Sequence, residues 1–157
     1  MKTNILYQTN HGTTEKMVQY LAEKIEGEVK IFRIDQSQLN DMLDAQNIVI
    51  GGSIHAGKIQ KSIRKFCNNN LDKLMGKNIG LFICCMLKAQ EEEEFYNAFP
   101  EKLIKHSKVQ GKFGGEILFD KMNFFERFLT RKVAKINESQ SKISYDAIEE
   151  FISGWHK

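Results

Sequence analysis

The chain alternates between short runs of apolar residues and longer stretches in which apolar residues recur every three or four positions. A short apolar run indicates a strand buried on both faces of a sheet, whereas three-and-four spacing indicates a helix with one apolar face. The predicted strands are residues 4–7, 28–34, 47–50, 78–84 and 112–119. The predicted helices are residues 13–25, 61–69, 91–106, 123–136 and 145–155.

Such alternation of strands and helices is typical of an α/β domain. Strand–helix–strand units make neighbouring strands parallel and put helices on both faces of the sheet. We therefore predict an α/β fold with a doubly wound, five-stranded parallel sheet. We expect residues 1–157 to form a single domain, because no low-complexity linker divides the chain and proline occurs once, at Pro100. Ligands of such sheets bind beyond the carboxyl ends of the strands, so we expect the chemistry in the turns that follow strands one, three and four.

The turn after the first strand carries small hydroxyl residues around a glycine. Residues 9–14 read Thr-Asn-His-Gly-Thr-Thr. The backbone N–H groups and hydroxyls of such a turn, at the start of a helix, are suited to binding a phosphate. They are equally suited to an ordinary helix cap, in which Thr9 or Thr13 caps the helix and Gly12 eases the turn. The local pattern leaves both interpretations open.

The same turn resembles the phosphate loop of the flavodoxin family, which reads Thr/Ser-x-Thr/Ser-Gly-x-Thr directly after the first strand. Thr9, Gly12 and Thr14 match this pattern, and His11 stands where the family has a hydroxyl residue. The order of elements fits over essentially the whole chain and implies the strand order 2-1-3-4-5. A closer likeness is to the flavodoxin-type, menaquinone-dependent protoporphyrinogen oxidases. It rests on residues 1–14, on residues 49–54 with Gly57, and on residues 124–128.

The resemblance implies that the cofactor is FMN. The phosphate is then expected on Thr9, Asn10, His11, Gly12, Thr13 and Thr14. The isoalloxazine ring is expected between one loop formed by Ser53, Ile54, His55, Ala56, Gly57 and Lys58 and a second formed by Cys85, Met86, Leu87 and Lys88. Flavodoxins commonly stack a tyrosine or tryptophan on the flavin, and neither loop contains one. We therefore expect His55 or Met86 to cover a face of the ring.

Three functional classes remain open. The first is an FMN-binding electron carrier that passes electrons to a redox partner protein. The second is an oxidoreductase that oxidises protoporphyrinogen with a quinone as acceptor, and the third is an interaction module without flavin. The segment after the fifth strand separates the first two. In the oxidases that the chain resembles it forms a loop and helix beside the flavin, whereas in a carrier it is only a packed helix.

Composition and cysteine spacing bear on the class of protein, on metal sites and on location in the cell. The chain is 41% hydrophobic and 27% charged, which is typical of a globular protein. Its longest apolar runs are far short of the 18 residues that suggest a membrane span, and the N-terminal run at residues 5–7 is too short for a signal peptide. The three cysteines show no Cys-x-x-Cys spacing, and the four histidines show no ligand spacing with them. We expect reduced thiols, no metal site and a cytoplasmic location.

The segment 121–135 is strongly basic, with five basic residues and one acidic residue in a chain whose net charge is +3. Arg127, Arg131 and Lys135 are four apart, and a broad apolar side is predicted from Phe124, Phe125, Phe128, Leu129, Val133 and Ile136. We favour a helix that buries this side in the core. The alternative is a basic amphipathic element that contacts an anionic membrane surface or an acidic partner. We expect no nucleic-acid binding, because the sequence contains no recognised reading motif.

Overall fold

The computed structural model describes residues 1–133 and 135–157. Five parallel strands form the sheet: β1 (Lys2–Gln8), β2 (Glu28–Arg33), β3 (Asn47–His55), β5 (Asn78–Cys84) and β6 (Val109–Lys112). The short β4 (Lys58–Ile59) pairs antiparallel with the end of β3, and β7 (Glu116–Ile117) pairs with β8 (Gln140–Ser141) in a separate small sheet. The order β2-β1-β3-β5-β6 is the predicted 2-1-3-4-5 arrangement once the parallel strands alone are counted. The predicted fold class is therefore confirmed.

Helices cover both faces of this sheet. They are α1 (Thr13–Lys24), α2 (Leu39–Met42), α3 (Lys61–Asn69), α4 (Leu71–Met75), α5 (Glu91–Ala98), α6 (Glu101–His106), α7 (Phe124–Val133) and α8 (Tyr145–His156). Short 3₁₀ helices occupy Ile34–Gln36, Lys88–Gln90 and Phe119–Lys121. No helix in the described part of the chain has the length and apolar character that a membrane crossing requires.

The core is divided in two by the sheet, because successive side chains of a strand point to opposite faces. Ile5 on β1 packs on the face covered by α1 and α8. Its cluster includes Trp155 of α8, which is 1% exposed. Leu6, the next residue, packs on the side of α3, α5 and α6, in a cluster that includes Phe95 and Leu103. The strands are thus buried on both faces, which explains their unbroken apolar runs.

The fifth parallel strand differs from the prediction. We expected it at residues 112–119, but the chain pairs with β5 only as far as Lys112 and then leaves the sheet. Gly114 follows with a positive φ of 72°, and Ile117 and Phe119 join a separate small cluster with Met122. The apolar alternation of residues 112–119 therefore comes from two elements with two different cores.

Two predicted helices also differ. The single helix at residues 91–106 is broken at Phe99, which is extended because Pro100 disfavours the helical conformation of the residue before it. The helix predicted over residues 123–136 is α7, which ends at Val133; Lys135 has a positive φ of 56°. Lys135 therefore does not share a helix face with Arg127 and Arg131 as predicted. Ala134 and the side chain of Val133 lie outside the described parts of the predicted helix.

Candidate functional site

A cleft with a cavity of about 250 Å³ opens at the carboxyl end of the sheet. It lies where β1, β3 and β5 end, at the position where the strand order reverses and where ligands of such sheets bind. Of the predicted site residues, eleven line it: Thr9, His11, Thr13, Ser53, Ile54, His55, Ala56, Gly57, Cys85, Met86 and Leu87. The other five lie outside the lining: Asn10, Gly12, Thr14, Lys58 and Lys88.

The turn after β1 leaves the first helix open to an anion. Gly12 is the N-cap residue of α1, with φ of 85°, and among the described residues no side chain caps this helix. Thr9 does not cap it, because its hydroxyl accepts a hydrogen bond from the N–H of Gly12 itself, at 3.0 Å, and so only closes the turn. The Thr14 hydroxyl is buried beside the Cys84 thiol and has no well-formed hydrogen bond to any described residue. The Thr14 hydroxyl and the N–H groups of the first turn of α1 therefore lie at the positive end of the helix dipole.

A lysine from a distant part of the chain covers this turn. The Lys121 ammonium nitrogen is 3.7 Å from the point that a Cβ atom on Gly12 would occupy. The turn itself, residues 9–14, carries neither lysine nor arginine, so its own residues predict only neutral donors. The structure adds a positive charge to it from the segment just before α7.

An acidic residue also reaches the turn. Glu116 of β7 lines the cleft and pairs with the Lys16 ammonium at 3.0 Å. Burial acts to raise the pKa of Glu116, but hydrogen bonds from Lys16, Ser141 and Thr13 outweigh burial and hold the pKa below its usual value. Glu116 is therefore charged near neutral pH, and Lys16 balances that charge.

The second predicted loop is the tight hairpin between β3 and β4. His55 pairs with Lys58, and the two residues between them, Ala56 and Gly57, both have positive φ, at 48° and 76°. The amide of Gln60 donates to the Ser53 hydroxyl at 2.6 Å and fixes the start of the loop.

The third predicted loop follows β5 and faces the hairpin across the cleft. The thiol of Cys85 donates to a carboxylate oxygen of Glu94 at 2.6 Å, and Glu94 is itself buried. Burial, together with the neighbouring Glu94 carboxylate, raises the pKa of Cys85 to about 12, so this thiol is protonated and unreactive near neutral pH. Met86 and Leu87 add the apolar lining of this wall.

The segment 115–130 forms a wall of the cleft. The sequence left the segment after the fifth strand open between a packed helix and a loop and helix beside the flavin, and none of its residues was among the predicted site residues. It contributes Gly115, Glu116, Ile117, Met122, Glu126, Leu129 and Thr130 to the lining. Glu126 makes the link to the predicted loops. Its carboxylate lies 2.7 Å from Nε2 of His11 and 3.4 Å from Nε2 of His55. In the sequence Glu126 stands out as the single acid of the basic segment 121–135, but nothing there pairs it with His11 or His55.

The outer side of α7 is exposed and aromatic. Phe124, Phe125 and Phe128 are 86%, 66% and 50% exposed. The interpretation of the 121–135 segment as a helix that buries these phenylalanines in the core is therefore wrong. Among the described side chains of the predicted apolar side, Leu129 lines the cleft and Ile136 is buried in the small cluster with Ile117 and Phe119.

Comparison with known protein families and with curated proteins gives consistent results. The model of the flavodoxin domain family matches residues 4–144. A flavodoxin of Aquifex aeolicus is 29% identical over 87 residues, which cover 53% of this chain and 47% of that protein. A protoporphyrinogen IX dehydrogenase [quinone] of Leishmania major is 21% identical over 151 residues, which cover 89% of this chain and 65% of that protein. The chain thus spans about half to two-thirds of the length of these curated relatives.

A solved structure has the same fold. The flavodoxin, WrbA-like protein from Agrobacterium tumefaciens superposes with a TM-score of 0.57 over 99% of this chain and 93% of that one, at 18% identity. At this identity the likeness concerns the fold alone.

Proposed function

The chain belongs to the flavodoxin domain family, and from this premise we propose that it binds one FMN in the cleft and transfers electrons to a redox partner. The observation that carries the proposal is the pairing of an uncapped helix N-terminus with an apolar cleft beside it. An isoalloxazine ring with a ribityl phosphate needs such a pair of neighbouring sites. FMN supplies one- and two-electron redox chemistry when it is bound, and the protein supplies position and electrostatics.

The phosphate end of the proposed site consists of the turn after β1. The N–H groups of the first turn of α1 and the hydroxyls of Thr9 and Thr14 supply neutral donors, and the helix dipole adds favourable potential. The orphaned hydroxyl of Thr14 fits this role, because a buried hydroxyl without a partner costs free energy that a ligand oxygen would recover. Lys121 supplies the one positive charge that the turn lacks.

The ring end of the proposed site lies between the hairpin at residues 53–57 and the loop at residues 85–87. Ile54, His55, Met86 and Leu87 are the larger side chains of these loops at the cleft. The described lining contains no tyrosine or tryptophan, so contact with the ring falls to an imidazole, a thioether and aliphatic groups. We also propose Lys58 and Lys88 as neighbours of the ring. Both side chains are exposed, and neither lines the cleft.

The test is the retention of flavin by the purified protein. We expect a shifted visible flavin spectrum that survives desalting after FMN is added. A folded protein that retains no flavin contradicts the proposal and leaves the interaction module without flavin.

A matched pair of substitutions then tests the phosphate end. Thr14→Val removes the orphaned hydroxyl with little change in shape, and we expect FMN to bind about tenfold more weakly, since a hydrogen bond to a charged group contributes roughly 1.5–3 kcal/mol. Thr3→Val is the control, because the Thr3 hydroxyl is also buried without a partner among the described residues but lies at the opposite end of β1. We expect unchanged FMN affinity for Thr3→Val. Equal affinities of the two variants would contradict the assignment of Thr14.

We propose a quinone-linked oxidoreductase as the second candidate. The observation that favours it is the course of residues 115–130, which form a wall of the cleft where a plain carrier needs only a packed helix. The protoporphyrinogen IX dehydrogenase [quinone] of Leishmania major supports protoporphyrinogen as the donor to test. Formation of fluorescent protoporphyrin by the FMN-loaded protein with a quinone acceptor would favour this candidate, and its absence would favour the carrier.

The exposed aromatic side of α7 supports a proposal about where in the cell the protein acts. We propose a cytoplasmic protein that contacts the inner face of the membrane through Phe124, Phe125 and Phe128. Arg131 and Lys132 lie on the same helix and suit an anionic lipid surface. A quinone dissolved in the bilayer would then be within reach of the cleft.

A further inference from the structure

Two histidines and a glutamate from three separate elements meet at the rim of the cleft. His11 belongs to the turn after β1, His55 ends β3, and Glu126 lies in α7. One carboxylate oxygen of Glu126 is 2.7 Å from Nε2 of His11 and 3.4 Å from Nε2 of His55. The two imidazole rings are 5.8 Å apart between centroids. Nothing in the spacing of these residues along the chain predicts that they meet.

We propose that these three side chains form a binding site for a divalent transition-metal ion of the zinc class. Imidazole nitrogen and carboxylate oxygen are ligands that Zn²⁺ accepts, and two histidines with one glutamate is a known set for sites with open positions. Metal–ligand bonds of about 2.0–2.2 Å in tetrahedral geometry separate the ligand atoms by roughly 3.3–3.6 Å. The three ligand atoms all lie within 4.8 Å of one another. The three atoms are therefore close to the separations that a shared ion requires.

The surroundings of the three groups favour a bound ion over a fully solvated one. The side chains of His11 and Glu126 are 19% and 20% exposed, and that of His55 is 37% exposed. All three line the cleft, so the remaining coordination positions face its interior and are open to water or a ligand. The cysteines do not compete for the ion, because burial raises the pKa of each thiol to about 12.

A metal ion at this place would also link parts of the fold. It would join α7 to the turn after β1 and to the hairpin, which are the two ends of the proposed cofactor site. Two of its ligands, His11 and His55, also belong to the proposed FMN site, so the test begins with the protein free of FMN.

The experiment is a titration of the purified chain, first without FMN, with Zn²⁺ in competition with a chromophoric chelator. We expect one Zn²⁺ per chain and at least a tenfold loss of affinity in Glu126→Gln and in His55→Asn. His106→Asn is the matched control, because His106 bonds to the Lys77 carbonyl away from the cleft. This control is expected to bind Zn²⁺ like the unsubstituted chain.

A second readout shows whether the ligands are these side chains. Co²⁺ in place of Zn²⁺ should give visible absorption bands in the FMN-free chain, and both ligand variants should lose them while keeping their circular dichroism. Failure to bind one ion, or binding that both ligand variants leave unchanged, would overturn the proposal and leave a cluster of ion pairs only. Zinc binding without flavin retention would overturn the proposed cofactor instead, so the two failures are distinguishable.

Discussion

Ala56 is held in a backbone conformation that suits few residues other than glycine, asparagine and aspartate. It forms the two-residue turn between β3 and β4 with Gly57, and positive φ at both positions is the signature of a type I′ turn. An alanine in the left-handed region costs about 1 kcal/mol, whereas asparagine tolerates it. We predict that Ala56→Asn raises the free energy of unfolding by about 0.5–1 kcal/mol, measured by urea denaturation.

The opposite substitution at the neighbouring position is the control. Gly57→Ala should lower the free energy of unfolding by about 1 kcal/mol through backbone strain. A clash is not the cause, because the nearest atom to an added Cβ is a carboxylate oxygen of Glu94, at 4.0 Å. If Ala56→Asn lowers stability while Gly57→Ala leaves it unchanged, the turn does not have this geometry.

Single residues also show how far the site was readable from the sequence. Thr9, Gly12 and Thr14 lie within one turn, so their spacing carried the prediction of a phosphate loop. Glu126 and His11 are 115 residues apart, and only the folded chain brings them together. Lys121 was equally hidden, because its position over Gly12 depends on where the chain goes after it leaves the sheet.

At the scale of elements, the predicted bounds agree best where the apolar residues pack against the large sheet. The bounds of β5 and α3 equal the predicted 78–84 and 61–69, and their apolar residues lie in the clusters that cover the two faces of the sheet. The bounds agree worst after Lys112, because the apolar residues there are divided between the core of the sheet and the small separate cluster. Apolar spacing shows that a helix has an apolar side, but it does not show what covers that side. This is why α7 was expected to be buried.

The exposed side of α7 predicts that the protein binds anionic lipid vesicles through its phenylalanines. Replacement of Phe124 and Phe125 together by serine should reduce binding to anionic vesicles about tenfold or more, because each phenylalanine loses apolar area that a bilayer would bury. The free energy of unfolding should change by less than about 0.5 kcal/mol per residue, since neither side chain is in the core. Cosedimentation with vesicles at low and high salt measures the first effect, and urea denaturation the second.

Tyr96→Ser provides the comparison for that prediction. Tyr96 is a 59% exposed aromatic residue on α5, outside the basic segment. It should leave vesicle binding unchanged. If Tyr96→Ser and the phenylalanine double substitution reduce vesicle binding equally, the binding is nonspecific adsorption of exposed aromatic residues. If vesicle binding does not depend on salt, the basic residues have no role in it.

At the scale of the whole molecule, the three cysteines tie stability to pH. Cys67, Cys84 and Cys85 are all buried, and burial raises the pKa of each thiol from 9.0 to about 12. The unfolded chain loses these protons from about pH 9, while the folded chain keeps them until about pH 12. The folded state therefore binds more protons in this window, and its stability falls as pH rises.

We predict that the free energy of unfolding falls by about 1 kcal/mol per thiol between pH 9 and pH 10, and so by roughly 3 kcal/mol in total. Urea denaturation at a series of pH values under reducing conditions measures this fall. Tyr7 adds a fall of the same sign mainly above pH 10, because burial raises its pKa in the folded state above the ordinary value of 10 at which the unfolded chain ionises.

Cys67→Ala separates the thiols from other sources of alkaline unfolding. Cys67 lies in α3, and its loss should leave a small cavity that lowers stability equally at every pH. Its specific effect is on the slope, which should fall by about one third between pH 9 and pH 10, because one of three titrating thiols is gone. An unchanged slope would mean that the Cys67 thiol ionises at the same pH in the folded and unfolded states, and it would contradict the share of the fall assigned to Cys67.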